Sequence, residues 1–184
     1  METNMNAQSI IDFWFADACK SCWFNSTPEM DQSIKNNYEM LWLSASQGAL
    51  NEWREEPLSA LALVIILDQF PLNMFRGTAQ SFSTEAASRM VASYAIDRGF
   101  DQSLSNEQKM FLYMPFMHSE DIADQNYAVE LFKSAGLDDN AKWAEHHRDI
   151  VKQFGRFPHR NEILGRESSA EEIQWLASDE AFHG

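Results

Sequence analysis

The stretch PLSALALVIILDQFPLNMFRG, residues 57–77, decides the fold. After Pro57, Leu58, Leu61, Ala62, Leu63, Val64, Ile65, Ile66 and Leu67 follow almost without polar interruption. Such a run predicts a helix that is apolar on nearly every side, and a helix of that kind is buried on every side. It is expected to be the central element, with the other helices packed about it. Phe70-Pro71 predicts its end, because proline pushes the preceding residue out of the helical region. Asp68, Gln69, Asn73 and Arg76 then fall at the exit of the most buried helix, where polar groups must find partners.

Outward from this stretch, every periodic segment shows the helical period, and none alternates long enough to make a strand. On the N-terminal side, Ile10, Phe13 and Trp14 share a face of a first helix that ends before the cysteines. Trp23 and Phe24 read as an anchor that folds the linker back onto the core. Thr27-Pro28 is a helix start, an N-cap followed by proline at the first helical position, and Ile34, Tyr38, Leu41 and Ala45 follow at helical spacing until Gly48.

On the C-terminal side, Ser83 or Thr84 opens a helix that Gly99 stops. Ser105 with Gln108 forms a capping box for the next helix, which Pro115 is expected to kink or to end at Met114. Ser119 is expected to cap a helix running through Ala135. Another runs from about Asp139 to Phe154 and stops at Gly155. Ser168 with Glu171, or Ser169 with Glu172, caps a short terminal helix. The expectation is an all-α chain of about eight helices, one domain over residues 1–184, arranged as a bundle or as stacked antiparallel hairpins.

Composition narrows the function classes. The chain has 184 residues and a net charge of −14, which repels phosphate backbones and anionic lipid, so neither nucleic acid nor membrane is an expected partner. The N-terminus shows no targeting signal, and the run from Leu58 to Leu67 is shorter than the roughly 20 residues of a membrane span. A soluble cytoplasmic protein is expected. Cys19 and Cys22 form a lone CxxC without the second pair of a structural zinc site, and read as two free thiols.

Against this acidic background, residues 146–166 hold Arg148, Lys152, Arg156, Arg160 and Arg166 against only Asp149 and Glu162, a local +3 that leaves −17 elsewhere. Gly155, Pro158 and Gly165 break the backbone in the same segment. A basic island of this kind is either an internal ion-pair hub or a pocket for an anion. Two further polar groups follow helix-terminating prolines: Asp68, Gln69, Asn73 and Arg76, and then His118, Glu120 and Asp121. Loops gather at one end of a bundle, so the three groups are expected to converge there.

The candidate ligand-binding residues are therefore Asp68, Gln69, Arg76, His118, Glu120, Arg156, His159, Arg160 and Asn161. His118 or His159 would serve as a general base and the arginines as anion stabilisers. No spacing supports a metal site, a nucleophile motif or a phosphate loop, so no cofactor and no metal is predicted. The partner expected is a small anionic molecule, or else a peptide or protein.

The strings WFNSTPEMD, ALVIILDQFPLNMFRGT, KMFLYMPFMHSED and HHRDIVKQFGRFPHRNEILGRES carry a resemblance. Through them the chain resembles the bacterial family known as domain of unknown function 924, from about Ile11 to about Leu176. The resemblance implies stacked helical hairpins similar to those of tetratricopeptide-repeat proteins, without the usual repeat signature. It implies no reaction and no catalytic residues, and it does not include the Cys19/Cys22 pair.

Overall fold

The structure is a computed structural model and describes residues 6–178 together with Ala181. Among the described residues there is no strand, and nine α-helices with four short 3-10 turns carry the chain. The all-α expectation is met. The additional helix is α2 (Asp17–Lys20), a four-residue segment in what reads as a linker.

The chain divides into two compact units, Met1–Arg76 with Gln80–Pro115, and Gly77–Ala79 with Phe116–Gly184. In the first, α4 (Pro57–Met74) packs against α1 (Ala7–Trp14), α3 (Pro28–Ser46) and α5 (Glu85–Asp97). Every residue from Ala60 to Pro71 is buried, and each fully buried Leu, Ile or Val side chain stabilises by about 1.5–3 kcal/mol. The central placement therefore holds within the first unit. Leu58, still 39% exposed, shows that burial begins only after the first turn. The helix is long and apolar enough to cross a membrane, but 78% of it is buried inside the protein. Its apolar surface is already satisfied by α1, α3 and α5.

One helix end differs from expectation: α4 continues through Pro71 to Met74. α6 (Asn106–Met117) likewise continues through Pro115, so of the two outcomes expected there it does not end at Met114. At Pro71 the reason is visible. Proline has no N–H for the carbonyl four residues earlier, which is that of Leu67. Thr84 Oγ1 donates to this carbonyl at 2.6 Å and itself accepts from Trp42 Nε1 at 3.1 Å. The side-chain relay replaces the missing backbone bond, so the helix can pass the proline. Thr84 is thereby diverted from capping α5, where its side chain makes no cap bond.

Other local readings hold where their hydrogen bonds form. Thr27 Oγ1 accepts from the Met30 N–H at 3.2 Å, and Ser105 and Gln108 exchange both capping-box bonds. Trp23 packs on Trp14 and Phe111 and donates to the Trp14 carbonyl. Phe24, by contrast, is 72% exposed and anchors nothing. Cys19 is buried, and burial together with Cys22 pushes its thiol up to about 11, which removes thiolate reactivity at neutral pH.

In the second unit, α7 (Ile122–Ser134) pairs with α8 (Asp138–Phe154) across a three-residue turn, and α9 (Ala170–Leu176) packs on the 3-10 turn Pro158–Arg160. The N-cap of α7 is Asp121, which accepts from the Ala123 N–H at 2.7 Å. Ser119 was expected there; its hydroxyl instead accepts from the Asp121 N–H and donates to Asp124. For α9, of the two capping boxes the sequence allows, Ser169 with Glu172 forms.

Truncating the core of α4 by Ile66→Ala should cost about 2–5 kcal/mol. Thr84→Val should cost about 2–4 kcal/mol, because it orphans both the Leu67 carbonyl and the Trp42 N–H. Pro71→Ala supplies a new N–H to that carbonyl, so Thr84→Val should cost about 1 kcal/mol less in the Pro71→Ala background. Urea titrations of the four proteins measure this coupling, and an equal cost in both backgrounds would show that the hydroxyl is not a substitute for the ladder bond.

Candidate functional site

The second unit gathers most of the basic island. α8 ends where Gly155 adopts a left-handed conformation, φ +72°, with its N–H bonded to the Val151 carbonyl. Arg156 thereby leaves the helical register. Pro158 does not keep the next residues irregular, as the sequence suggests, but opens the 3-10 turn Pro158–Arg160, where its fixed φ is already suitable. Phe157 lies between these two events and is 1% exposed.

The backbone of Phe157 is held on both sides. Its N–H donates to Glu120 Oε1 at 2.8 Å, and its carbonyl accepts from Arg166 at 3.2 Å. Arg166 also grips Glu120 with two bonds, 2.7 and 2.9 Å, and donates to Asn161 Oδ1 at 3.0 Å. Asn161 passes the connection on, donating to Glu172 Oε2 at 3.2 Å and to Ser168. Glu172 closes the circuit. It accepts two bonds from Arg156, 2.7 and 2.8 Å, and one from the Ser169 N–H. Paired forks of this kind are the strongest hydrogen bonds a protein makes between side chains.

The charges follow from these contacts. The Arg156 hydrogen bonds hold the Glu172 carboxyl down to about 2, with the Ser169 N–H and Asn161 assisting against burial. Burial alone would raise Glu120, but the bonds from Arg166 and from the Phe157 N–H outweigh it, so its net direction is down. Both carboxylates remain ionised throughout the physiological range.

The ring of Phe157 is the centre of a second layer. His147 stands edge-on at 5.7 Å between ring centroids, His159 is tilted at 5.5 Å, and the guanidinium carbon of Arg160 lies 4.8 Å over the ring. Arg160 is only 6% exposed. His147 Nδ1 is 2.8 Å from the Trp143 carbonyl, which can only accept, so the proton sits on Nδ1 and Nε2 is an acceptor in the neutral ring. Burial pushes His147 down to about 4, with His118, His146 and Arg160 adding to the fall by their positive charge. His118 is therefore close enough for its charge to be felt at His147.

The sequence-predicted residues thus fall in both units. Glu120, Arg156 and Asn161 join one ion-pair circuit, while His159 and Arg160 flank Phe157 and His118 neighbours His147. Asp68, Gln69 and Arg76 belong to the first unit. There Gln69 donates to Asp68 at 2.6 Å, and Arg76 forks onto Asp31, a partner the sequence does not suggest, while also reaching Asn73.

Across residues 10–180 the chain matches a bacterial protein family of unknown function, DUF924. It belongs to that family. A solved protein of unknown function from Agrobacterium tumefaciens is similar, with 44% identity, a TM-score of 0.88, and alignment over 93% of this chain and 96% of that one. No curated protein matches the chain.

Within this DUF924 chain, three residues of the circuit lie outside the set that sequence reasoning put forward. Arg166 is visible in the basic island but carries no signal separating it from Arg148. Glu172 is visible as a capping residue, which explains it fully from sequence alone. Phe157 is apolar beside a proline and reads as core, which it also is, packing with Ile150 and Val151.

The depressed Glu172 predicts a specific acid response. Its ordinary value is 4.5 and its folded value about 2, so the stability it contributes is complete above 4.5 and is lost as pH falls from there toward 2. Glu172→Gln keeps the capping-box geometry but loses the charge. The melting temperature of the unsubstituted protein should exceed that of Glu172→Gln at pH 7, with the gap narrowing below about pH 4.5; a gap that stays constant down to pH 3 would mean that the charge contributes nothing.

Proposed function

We propose that the second unit binds a small anionic molecule, a carboxylate or phosphate compound, beside Phe157. His118, His159 and Arg160 would be its contacts, and Glu120, Arg156 and Asn161 the frame that holds them. The observation that carries this reading is the gathering of His147, His159 and Arg160 round one buried ring. A guanidinium stacked on an aromatic face keeps its planar fork oriented for oxyanion recognition. Burial is the main cause of the fall of His147, and the smaller contributions of His118, His146 and Arg160 to it are those of nearby positive charge. Asp68, Gln69 and Arg76, being in the first unit, stay outside this proposal.

The net charge of −14 supports a small ligand over nucleic acid or an anionic membrane as partner. Two free thiols, one of them buried, suit a cytoplasmic setting. The other reading, an adaptor of tetratricopeptide-repeat type that binds a peptide or protein, needs contiguous exposed apolar surface. Among the described residues, the large exposed apolar side chains instead occur singly on separate elements, as with Phe24, Met90, Ile122, Trp143 and Ile173, while Met40 and Leu43 lie three apart on one helix.

A thermal-shift series at neutral pH with inorganic phosphate and citrate tests the ligand reading. A ligand at about 100 times its Kd should raise the melting temperature by several degrees. Arg160→Lys, which keeps the charge but loses the fork, should remain folded and lose most of that rise. If neither anion moves the unsubstituted protein, or if Arg160→Lys responds in full, the reading is wrong.

A further inference from the structure

We propose that Gln125 is the positioning residue of this site, fixing through its carboxamide the turn that carries His118 and so setting where that imidazole stands and how readily it takes a proton. The inference rests on the anion-site reading for its purpose but not for its geometry. Gln125 lies in the first turn of α7 and is 0% exposed. Its Nε2 donates to the Met117 carbonyl at 2.7 Å and to the Ser119 carbonyl at 2.6 Å. These are the two carbonyls on either side of His118. Carbonyls only accept, so the orientation of the amide is dictated by its partners.

The rest of the turn is fastened as tightly. The Ser119 hydroxyl binds Asp124 and the Asp121 N–H, Glu120 is gripped by Arg166, and Asp121 caps α7. Each of these side chains fixes the turn, and what the turn presents is the half-buried imidazole of His118. Its Oε1 is buried and accepts no hydrogen bond from any described residue. The position demands the two donors of an amide for the sake of the turn, and accepts an unpaired oxygen as the consequence.

The chemistry explains why the placement matters. His147 is held neutral by burial, with its tautomer fixed by the Trp143 carbonyl, so it cannot exchange protons near neutral pH. Among its neighbours, His118 is half-buried and close enough for its charge to be felt at His147. Its distance from that ring depends on the turn.

The test follows His118 by NMR, with its imidazole signal assigned through His118→Gln, in the unsubstituted protein and in Gln125→Met, which keeps the length and removes both donors. The titration midpoint of His118 should move in Gln125→Met, and the affinity for inorganic phosphate read at His118 should fall on the order of tenfold. A folded Gln125→Met with an unmoved midpoint overturns the proposal, whatever phosphate does. A protein that ignores phosphate while the midpoint still moves removes the anion reading and leaves the positioning role standing. Should Gln125→Met fail to fold, hydrogen exchange of the Gln125 side-chain amide in the unsubstituted protein decides: slow exchange of both Nε2 protons supports the clamp, and rapid exchange rejects it.

Discussion

Buried backbone groups that lose their partner in the helical ladder must be served by side chains, and this requirement places residues in both units. Pro71 takes the donor away from the Leu67 carbonyl, and Thr84 supplies one. The break after α8 leaves the N–H of Phe157 outside any helix, and Glu120 takes it, while Arg166 adds a bond to the Phe157 carbonyl, which also accepts from the Arg160 N–H. The end of α6 leaves the Met117 and Ser119 carbonyls, and Gln125 takes those. An orphaned buried group costs about 1–3 kcal/mol, a large fraction of the stability of a small protein. These side chains are consequently fixed as firmly as core residues, although each is polar.

The same requirement governs the charges. A local +3 within an acidic chain looks from sequence like an attraction for external anions. In the structure, Arg156 and Arg166 are each matched fork to fork with one carboxylate, Glu172 and Glu120. Neither carboxylate lies within the basic island itself. Glu120 comes from the turn before α7 and Glu172 from α9, so the pairing is a property of the fold and not of the segment. Of the two readings the sequence leaves open, the ion-pair hub describes Arg156 and Arg166, while the layer round Phe157 is where the ligand reading has its support.

How far the sequence could be read depends on the range of the interactions concerned. The apolar run of α4, the Thr27 cap and the Ser105/Gln108 box were legible because each is settled within a few residues. The end at Pro71 was misread because a proline rule considers only the local backbone. The donor that carries α4 past Pro71 comes from Thr84, thirteen residues further along, and no local pattern announces it. Thr84 does stand at the N-cap position of α5, one of the two starts the sequence allows, but its hydroxyl is engaged by the Leu67 carbonyl. The site was half legible. His118, His159 and Arg160 stand out as polar groups in broken backbone, but Phe157 and Gln125 do not, since an apolar ring and an uncharged amide are unremarkable in any helical sequence.

Placing an apolar ring at the centre of a cationic cluster has a chemical consequence. The ring excludes water, and in that low-dielectric setting charges interact more strongly than they would at the surface. His147 responds by giving up its own charge: at about 4 it is neutral at any physiological pH, a fixed acceptor rather than an acid. Two of the half-buried histidines of the same unit are His118 and His159. They differ in how they are held. His159 is mounted on the 3-10 turn after Pro158, whose φ is fixed by its ring, whereas the turn that carries His118 is held through the carbonyls on either side of that residue. The position of this turn therefore depends on side-chain hydrogen bonds, those made by Gln125 among them.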